Sequence, residues 1–303
     1  MADLRYLLTQ AKPGKVKPRS SEAVVRGTAT EFARELKAIT PPVDLSRFLR
    51  ARSIVQVSHV DMPEDGALYA LDSVRLAVDL RRANSEARNR FTCGHEIAHT
   101  FFLDRSAPEW HVKFRIVESD IERPAAQRGD GLEEHLCNVF AGELLIPSPF
   151  LQNRIRSRGF SWRTMLEMSE ETRCSVTACA VRSIQSGWTR SLLLCWKPLE
   201  SSKHLRLAWQ LASPGTSWRI DPSVPPPQDS QVYRAFSAST RRVIQSGKLK
   251  LPLPHGGSSD VYAESWPSRN SVLTLVVLER GADVLGSNAA HWTRGAEEQL
   301  RLF

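Results

Sequence analysis

The stretch FTCGHEIAHTFF, residues 91–102, decides how the first half of the chain is interpreted. It places His95 and His99 four residues apart, with Glu96 directly after the first histidine. On a helix, residues four apart project from the same face, so the two imidazoles can meet at one point. Zinc binds imidazole nitrogen, and a neighbouring carboxylate can take a proton from a water molecule that the metal acidifies. We therefore predict that His95 and His99 are zinc ligands and that Glu96 is a catalytic base.

The same three residues could be polar side chains on an ordinary helix. Their neighbours include Phe91, Ala98 and Phe101, which indicate a helix with a buried apolar surface. Two adjacent imidazoles on such a surface would be costly to bury unless a partner satisfied their nitrogens. This cost favours a metal site on a predicted helix over residues 88–103.

Two histidines leave a structural or catalytic zinc ion short of at least one protein ligand. The longer pattern HExxHxxGxxH is absent, because residues 102 and 105 are Phe and Arg. A second apolar-periodic helix, predicted over residues 131–147, offers Glu133, Glu134 and Glu143 as carboxylate ligands.

Glu134 has the most favourable position of the three. Residues Cys137, Asn138 and Ala141 share its face, and their small side chains would let this helix pack closely on the first. Glu133 lies about 100° further round the helix, so we expect it to face solvent. A solvated glutamate, stabilised by the helix dipole, is the alternative interpretation of Glu134.

Three further residues compete for a role at this site. His135 and Cys137 are neighbours of Glu134 and are rival ligands, and Cys137 would give a thiolate-bound metal. His111 could act as an outer hydrogen-bonding group or stabilise an oxyanion. The residues themselves do not decide among these roles.

Two segments together resemble the ImmA/IrrE family of zinc metallopeptidases. They are RNRFTCGHEIAHTFF, residues 88–102, and EEHLCNVFAGELLIP, residues 133–147. The family pattern is similar to R-x-x-F-T-x-x-H-E-x-x-H followed by E-x-x-A-N-x-F-A-x-x-L-L-x-P, with Cys137 in place of the alanine. The matching positions are Arg88, Phe91, Thr92, His95, Glu96, His99, Glu134, Asn138, Phe140, Ala141, Leu144, Leu145 and Pro147.

The resemblance implies that His95, His99 and Glu134 bind Zn²⁺ and that Glu96 is the catalytic base. It also implies a zinc-dependent endopeptidase that cuts a helix-turn-helix repressor, relieving repression after stress or in mobile elements. We expect a substrate strand to pair with the edge of the sheet that contains Val74–Leu80. A non-proteolytic binding protein and a toxin–antitoxin component that recognises a repressor or DNA are the alternatives.

The expected fold class is α+β, with four parts along the chain. Residues 1–20 form a flexible basic tail, and residues 21–150 form a small zincin-like peptidase domain of helices and a small sheet. Residues 151–187 form a helical segment that resembles a helix-turn-helix unit. Residues 188–303 form a separate α/β or β-rich domain, the counterpart of the GAF-like sensor domain in related proteins.

Local patterns place the elements of these domains. Strands are predicted at 54–57, in the two apolar runs 67–71 and 74–80, and around 110–116 within a family-atypical insertion. A first helix is predicted from Ser21, which would act as its N-cap. The two short helices within 161–186 are expected to cap the preceding domain, and DNA contact is the weaker alternative.

Bulk composition adds few constraints. The net charge is +8, but the basic residues are scattered, which makes a nucleic-acid surface a weak expectation. The five cysteines fit no disulfide framework, and the N-terminal residues lack the apolar core of a signal peptide. No apolar run is long enough to span a bilayer, so we expect a cytoplasmic protein without a membrane partner.

Overall fold

The computed structural model describes residues 4, 18–103, 115–117, 131–199, 204–238, 243–252, 258–268 and 270–278. Its elements in chain order are α1 (Pro18–Glu35), α2 (Leu45–Ala51), β1 (Ile54–Val60), β2 (Gly66–Ala70), β3 (Leu76–Arg81), α3 (Glu86–His99), β4 (Arg115–Val117), α4 (Gly131–Leu145), α5 (Ser148–Arg158), α6 (Trp162–Thr172), α7 (Val176–Ser186), β5 (Ser191–Pro198), β6 (Leu205–Ala212), α8 (Gln231–Ser237), β7 (Gln245–Pro252), β8 (Ser258–Ser268) and β9 (Ser271–Val277). The α+β class is confirmed. No helix within the described ranges is long and apolar enough to cross a membrane.

The chain divides into two compact units. The first comprises Met1–Phe150 and Ser169–Ser175, and the second comprises Leu151–Met168 and Val176–Phe303. Residues 151–168 and 176–187, which we expected to form a separate helical segment, therefore group with the C-terminal sheet. The domain boundaries drawn from the sequence stay a prediction.

The first unit contains a four-stranded sheet of order β1-β3-β2-β4. Strand β1 is parallel to β3, whereas β2 is antiparallel to both β3 and β4. Strand β3 lies between β1 and β2, and it is covered on both faces because Leu76, Ala77 and Val78 are all fully buried. The edges of this sheet among the described strands are β1 and β4, and pairing of a substrate strand with an edge of the sheet stays a prediction.

Helix α3 is fixed at both ends. Ser85 caps its first turn by accepting a hydrogen bond from the backbone N–H of Arg88. At the other end, Arg52 donates from Nε to Thr100 Oγ1 (2.7 Å) and from Nη2 to the Thr100 carbonyl (2.5 Å). The same guanidinium lies 4.1 Å from the ring centroid of Phe101. These contacts hold the C-terminal turn, which carries the second histidine of the motif.

Helix α4 packs against both α3 and α1. The closest approach to α3 involves small residues, since a Cβ added to Gly94 would lie 3.5 Å from the Cβ of Ala141. The predicted close packing of these two helices is therefore present. Strands β2 and β3 also contact α3.

The start of the chain differs from its prediction. Helix α1 begins at Pro18, so Ser21 lies inside the helix, is buried, and does not act as the N-cap. Leu4 is also buried. The other residues up to 17 lie outside the described part of the chain. Residues 110–114 of the strand predicted around 110–116 also lie outside it.

The second unit is built on a five-stranded antiparallel sheet of order β6-β5-β9-β8-β7. Helix α8 contacts β7, β8 and β9, and α7 contacts β5 and β6. Trp162, the first residue of α6, donates from its backbone N–H to Glu264 Oε2 (2.8 Å) and from its indole to the Glu264 carbonyl (2.9 Å). Helix α7 and the first residue of α6 thus contact this sheet. A GAF-like identity for the sheet domain stays a prediction.

Candidate metal centre

Helices α3 and α4 bring three of the predicted site residues together. His95 and His99 are almost completely buried, and their Nε2 atoms lie 2.9 Å apart. Glu134 reaches both from α4: its Oε2 lies 3.2 Å from His95 Nε2 and its Oε1 lies 3.4 Å from His99 Nε2. Two ring nitrogens and one carboxylate therefore converge on one point.

The opposite ring nitrogens have partners of their own. His95 Nδ1 lies 3.0 Å from the side-chain oxygen of Asn138, and His99 Nδ1 lies 2.8 Å from Glu133 Oε1. An amide oxygen and an ionised carboxylate only accept hydrogen bonds, so each Nδ1 is the donor. A neutral imidazole that donates from Nδ1 has an unprotonated Nε2. Both Nε2 lone pairs consequently point to the site that Glu134 also faces.

This arrangement fits a bound cation. Two Nε2 atoms lie 2.9 Å apart with carboxylate oxygens within 3.4 Å, so a cation between them would be stabilised by every one of these electron-rich atoms. Two imidazole nitrogens and one carboxylate form a donor set typical of catalytic zinc, with the fourth position left for water or substrate. The donor chemistry of the site thus fits the metal that the motif predicts.

Glu133 corrects one expectation. Its side chain is only 19% exposed and contacts His99, so the prediction that it faces solvent is wrong. Helix α4 crosses α3 closely enough that two consecutive residues of α4 reach opposite nitrogens of the same imidazole. The sequence gives only the rotation between Glu133 and Glu134 within α4. It does not give the angle at which α4 crosses α3, and that angle brings Glu133 to His99.

Cys137 is a competing donor. Its sulfur and the histidine nitrogens form a buried group whose atoms all lie within 4.8 Å of one another. Glu134 fits the centre better, because its two oxygens each lie within 3.4 Å of a different Nε2. This carboxylate places one oxygen beside each ring nitrogen, so it can complete the donor set from its present position.

His135, the other rival ligand, has a partner away from the metal centre. His135 is 41% exposed at its side chain and pairs through Nε2 with Glu22 Oε1 at 2.8 Å. It therefore has a partner on α1. His111 lies outside the described residues.

Glu96 is fully buried and lies against strand β2. A Cβ added to Gly66 would lie 2.9 Å from Glu96 Oε1 and 2.3 Å from Thr92 Cγ2. The backbone of β2 therefore passes directly beside the predicted base. In the sequence, Gly66 ends the turn-like stretch MPEDG, so the pattern indicated a turn glycine and gave no sign of this close approach.

Cys93 lies on α3 close to the motif but is a poor metal ligand. Burial, together with the negative charge of Glu96, raises the pKa of the Cys93 thiol to about 12. The group therefore stays protonated near neutral pH, whereas metal binding requires the thiolate.

The chain is similar to known proteins in sequence and in fold. Residues 54–175 match the family model described as the IrrE N-terminal-like domain, Peptidase_M78. The chain is 23% identical over 277 residues to the radiation response metalloprotease IrrE of Deinococcus deserti. This match covers 87% of this chain and 92% of the relative. A solved structure, a Mycobacterium tuberculosis transcriptional regulator, is similar in fold, with a TM-score of 0.56 at 13% identity over 88% of this chain and 79% of its own.

Proposed function

The chain belongs to the ImmA/IrrE family of metallopeptidases, and we propose that it is a zinc-dependent endopeptidase that hydrolyses a peptide bond in a transcriptional regulator. The observation that carries this proposal is the pair of Nε2 atoms 2.9 Å apart, with Glu134 beside both. His95, His99 and Glu134 would hold the metal. When bound, zinc supplies a Lewis acid that acidifies water and polarises the scissile carbonyl.

Glu96 performs the proton transfers in this mechanism. Its carboxylate takes a proton from the attacking water and then delivers it to the leaving amine. The side chain is fully buried, and the backbone of Gly66 lies against it, which restricts its movement. A base held in one position avoids the entropy cost of orienting it at each turnover.

The protein substrate that we propose is a helix-turn-helix repressor. The Deinococcus relative is named a radiation response metalloprotease, which supports a role in a stress response. A purely non-proteolytic binding protein is less consistent with a complete donor set and a buried glutamate beside it. Direct DNA contact through α7 has little support, since none of the residues of α7 is exposed and its one arginine, Arg182, is buried.

Metal analysis and cleavage assays together test the proposal. We expect about one zinc ion per chain and zinc-dependent cleavage of a helix-turn-helix repressor, for which the product of the neighbouring reading frame is the first protein to examine. Glu96→Gln should retain zinc and lose cleavage by a factor of at least about 10². A wild-type protein that takes up no zinc, or a Glu96→Gln variant that cleaves at the wild-type rate, would refute this mechanism.

A further inference from the structure

His99 is held from two sides by consecutive residues of α4. Glu133 contacts its Nδ1 at 2.8 Å, and Glu134 lies 3.4 Å from its Nε2. His95 has a different environment on its outer side, where Nδ1 meets the neutral side-chain oxygen of Asn138 at 3.0 Å. The two histidines of the motif are therefore not equivalent.

The difference in charge between the two outer partners has a chemical consequence. A carboxylate that accepts the Nδ1–H bond polarises the ring and makes Nε2 a stronger donor to a cation. Charge-assisted hydrogen bonds are about twice as strong as neutral ones, so Glu133 should have a larger influence than Asn138. His99 is expected to be the more strongly supported of the two ligands.

We propose that Glu133 is a positioning residue that fixes the tautomer and orientation of His99 and thereby sets the affinity of the centre for a divalent metal. Asn138 positions His95 in the same way, with a weaker effect because its side chain is neutral. The inference rests on the metal site of the proposed function, and it assigns a role to a residue that is not itself one of the three donors.

Glu133 is not arranged as a fourth ligand. Its carboxylate contacts Nδ1, which lies on the far side of the imidazole from the Nε2 atoms that face each other. A simple surface role is also excluded, because its side chain is only 19% exposed and its oxygen lies at hydrogen-bonding distance from a fully buried ring. The contact therefore acts on the metal through His99.

Zinc affinity measured by competition with a chromophoric chelator tests the proposal without relying on peptidase activity. Glu133→Ala should bind zinc about 10- to 100-fold more weakly than wild type. Glu133→Gln keeps an acceptor but loses the charge, so its affinity should fall between the two. Asn138→Asp supplies a second outer carboxylate and should not weaken zinc binding.

The chain contains a matched control on the same helix. Glu22 accepts a hydrogen bond from His135 at the same 2.8 Å, but this pair lies outside the donor set. Glu22→Ala should leave zinc affinity unchanged. The metal-free thermal midpoints of Glu133→Gln and wild type should agree, which separates tuning of the metal from a general loss of stability.

The possible results lead to separate conclusions. If wild type binds zinc and Glu133→Ala and Glu133→Gln bind it within twofold of wild type, the positioning role is refuted and the proposed function stands. If wild type binds no zinc, both the proposed function and this inference fail. A graded order of affinity, Glu above Gln above Ala at position 133, supports the inference.

Discussion

Gly66 and Glu96 lie so close together that no side chain fits between them. A Cβ on Gly66 would stand 2.9 Å from Glu96 Oε1, and 2.3 Å from the methyl group of Thr92. Strand β2 and helix α3 therefore meet at the buried carboxylate that we assign as the base. The absence of a side chain at residue 66 is what allows the strand to support that carboxylate.

We expect Gly66→Ala to impair the enzyme without removing the metal. The added methyl group must displace Thr92 or Glu96, and overpacking of this kind costs about 1–3 kcal/mol of stability. Zinc content should stay near wild type, because Gly66 does not touch the donors, whereas cleavage should fall strongly. Zinc analysis and initial cleavage rates measure the two effects.

Gly27→Ala is the control for this substitution. Nothing lies within 4 Å of a Cβ added to Gly27, and the residue is inside helix α1. Replacing it should stabilise the protein slightly, since alanine is the better helix former. If Gly66→Ala and Gly27→Ala changed cleavage and stability equally, the close approach of Gly66 to Glu96 would have no special role.

Substitutions at Glu134 and Cys137 separate the two candidate third ligands. Glu134→Ala removes the carboxylate that lies within 3.4 Å of both Nε2 atoms, so zinc affinity should fall by at least about two orders of magnitude. Cys137→Ala restores the residue of the family pattern and should leave affinity within a few fold. A larger loss for Cys137→Ala than for Glu134→Ala would make the sulfur the ligand.

Arg52→Ala should destabilise the first unit. The substitution removes two hydrogen bonds to Thr100 and the contact with the ring of Phe101, and hydrogen bonds to charged groups contribute about 1.5–3 kcal/mol. Zinc should recover part of the lost thermal stability, because ligand binding favours the folded state. Arg82→Ala, which removes an exposed ion pair with Asp61 and an exposed hydrogen bond to the His59 carbonyl, should lower the thermal midpoint much less than Arg52→Ala does.

Glu264 should make the stability of the second unit depend on pH. Burial raises the pKa of this carboxyl to about 7 from an ordinary value of 4.5, against the opposing effect of the Trp162 N–H bond. Between these two values the folded protein keeps a proton that the unfolded chain releases. Stability is therefore highest below about pH 4.5, decreases as the pH rises to about 7, and is level above that value.

Glu264→Gln should remove this dependence, because glutamine stays neutral and its oxygen can still accept from Trp162. Between pH 5 and pH 8 the wild type should lose up to about 3 kcal/mol of unfolding free energy relative to the variant. Urea unfolding followed by tryptophan fluorescence at the two pH values measures the difference. Parallel behaviour of the two proteins would show that Glu264 does not titrate in this range.

Much of the first unit followed from local patterns. The alternation of apolar residues predicted β1, β2 and β3, and the 3.6-residue period predicted α3 and α4. The same patterns failed to predict where some helices and strands begin and which residues are buried, because both depend on the elements packed around them. Serine is a residue type that often caps helices, but α1 already begins at Pro18, so Ser21 lies inside the helix and is buried. Val74 fits the alternation of β3, but the strand starts at Leu76 and Val74 is 61% exposed.

The sequence by itself determined that His95 and His99 share a face and that Glu96 lies beside them, because one helix relates these residues by a fixed rotation. It pointed to Glu134 only through the resemblance to a family. The contact of Glu133 with His99 and the approach of Gly66 to Glu96 were decided by the tertiary structure. Those contacts depend on how α4 and β2 cross α3, and burial of the whole core, rather than any local pattern, sets those crossings.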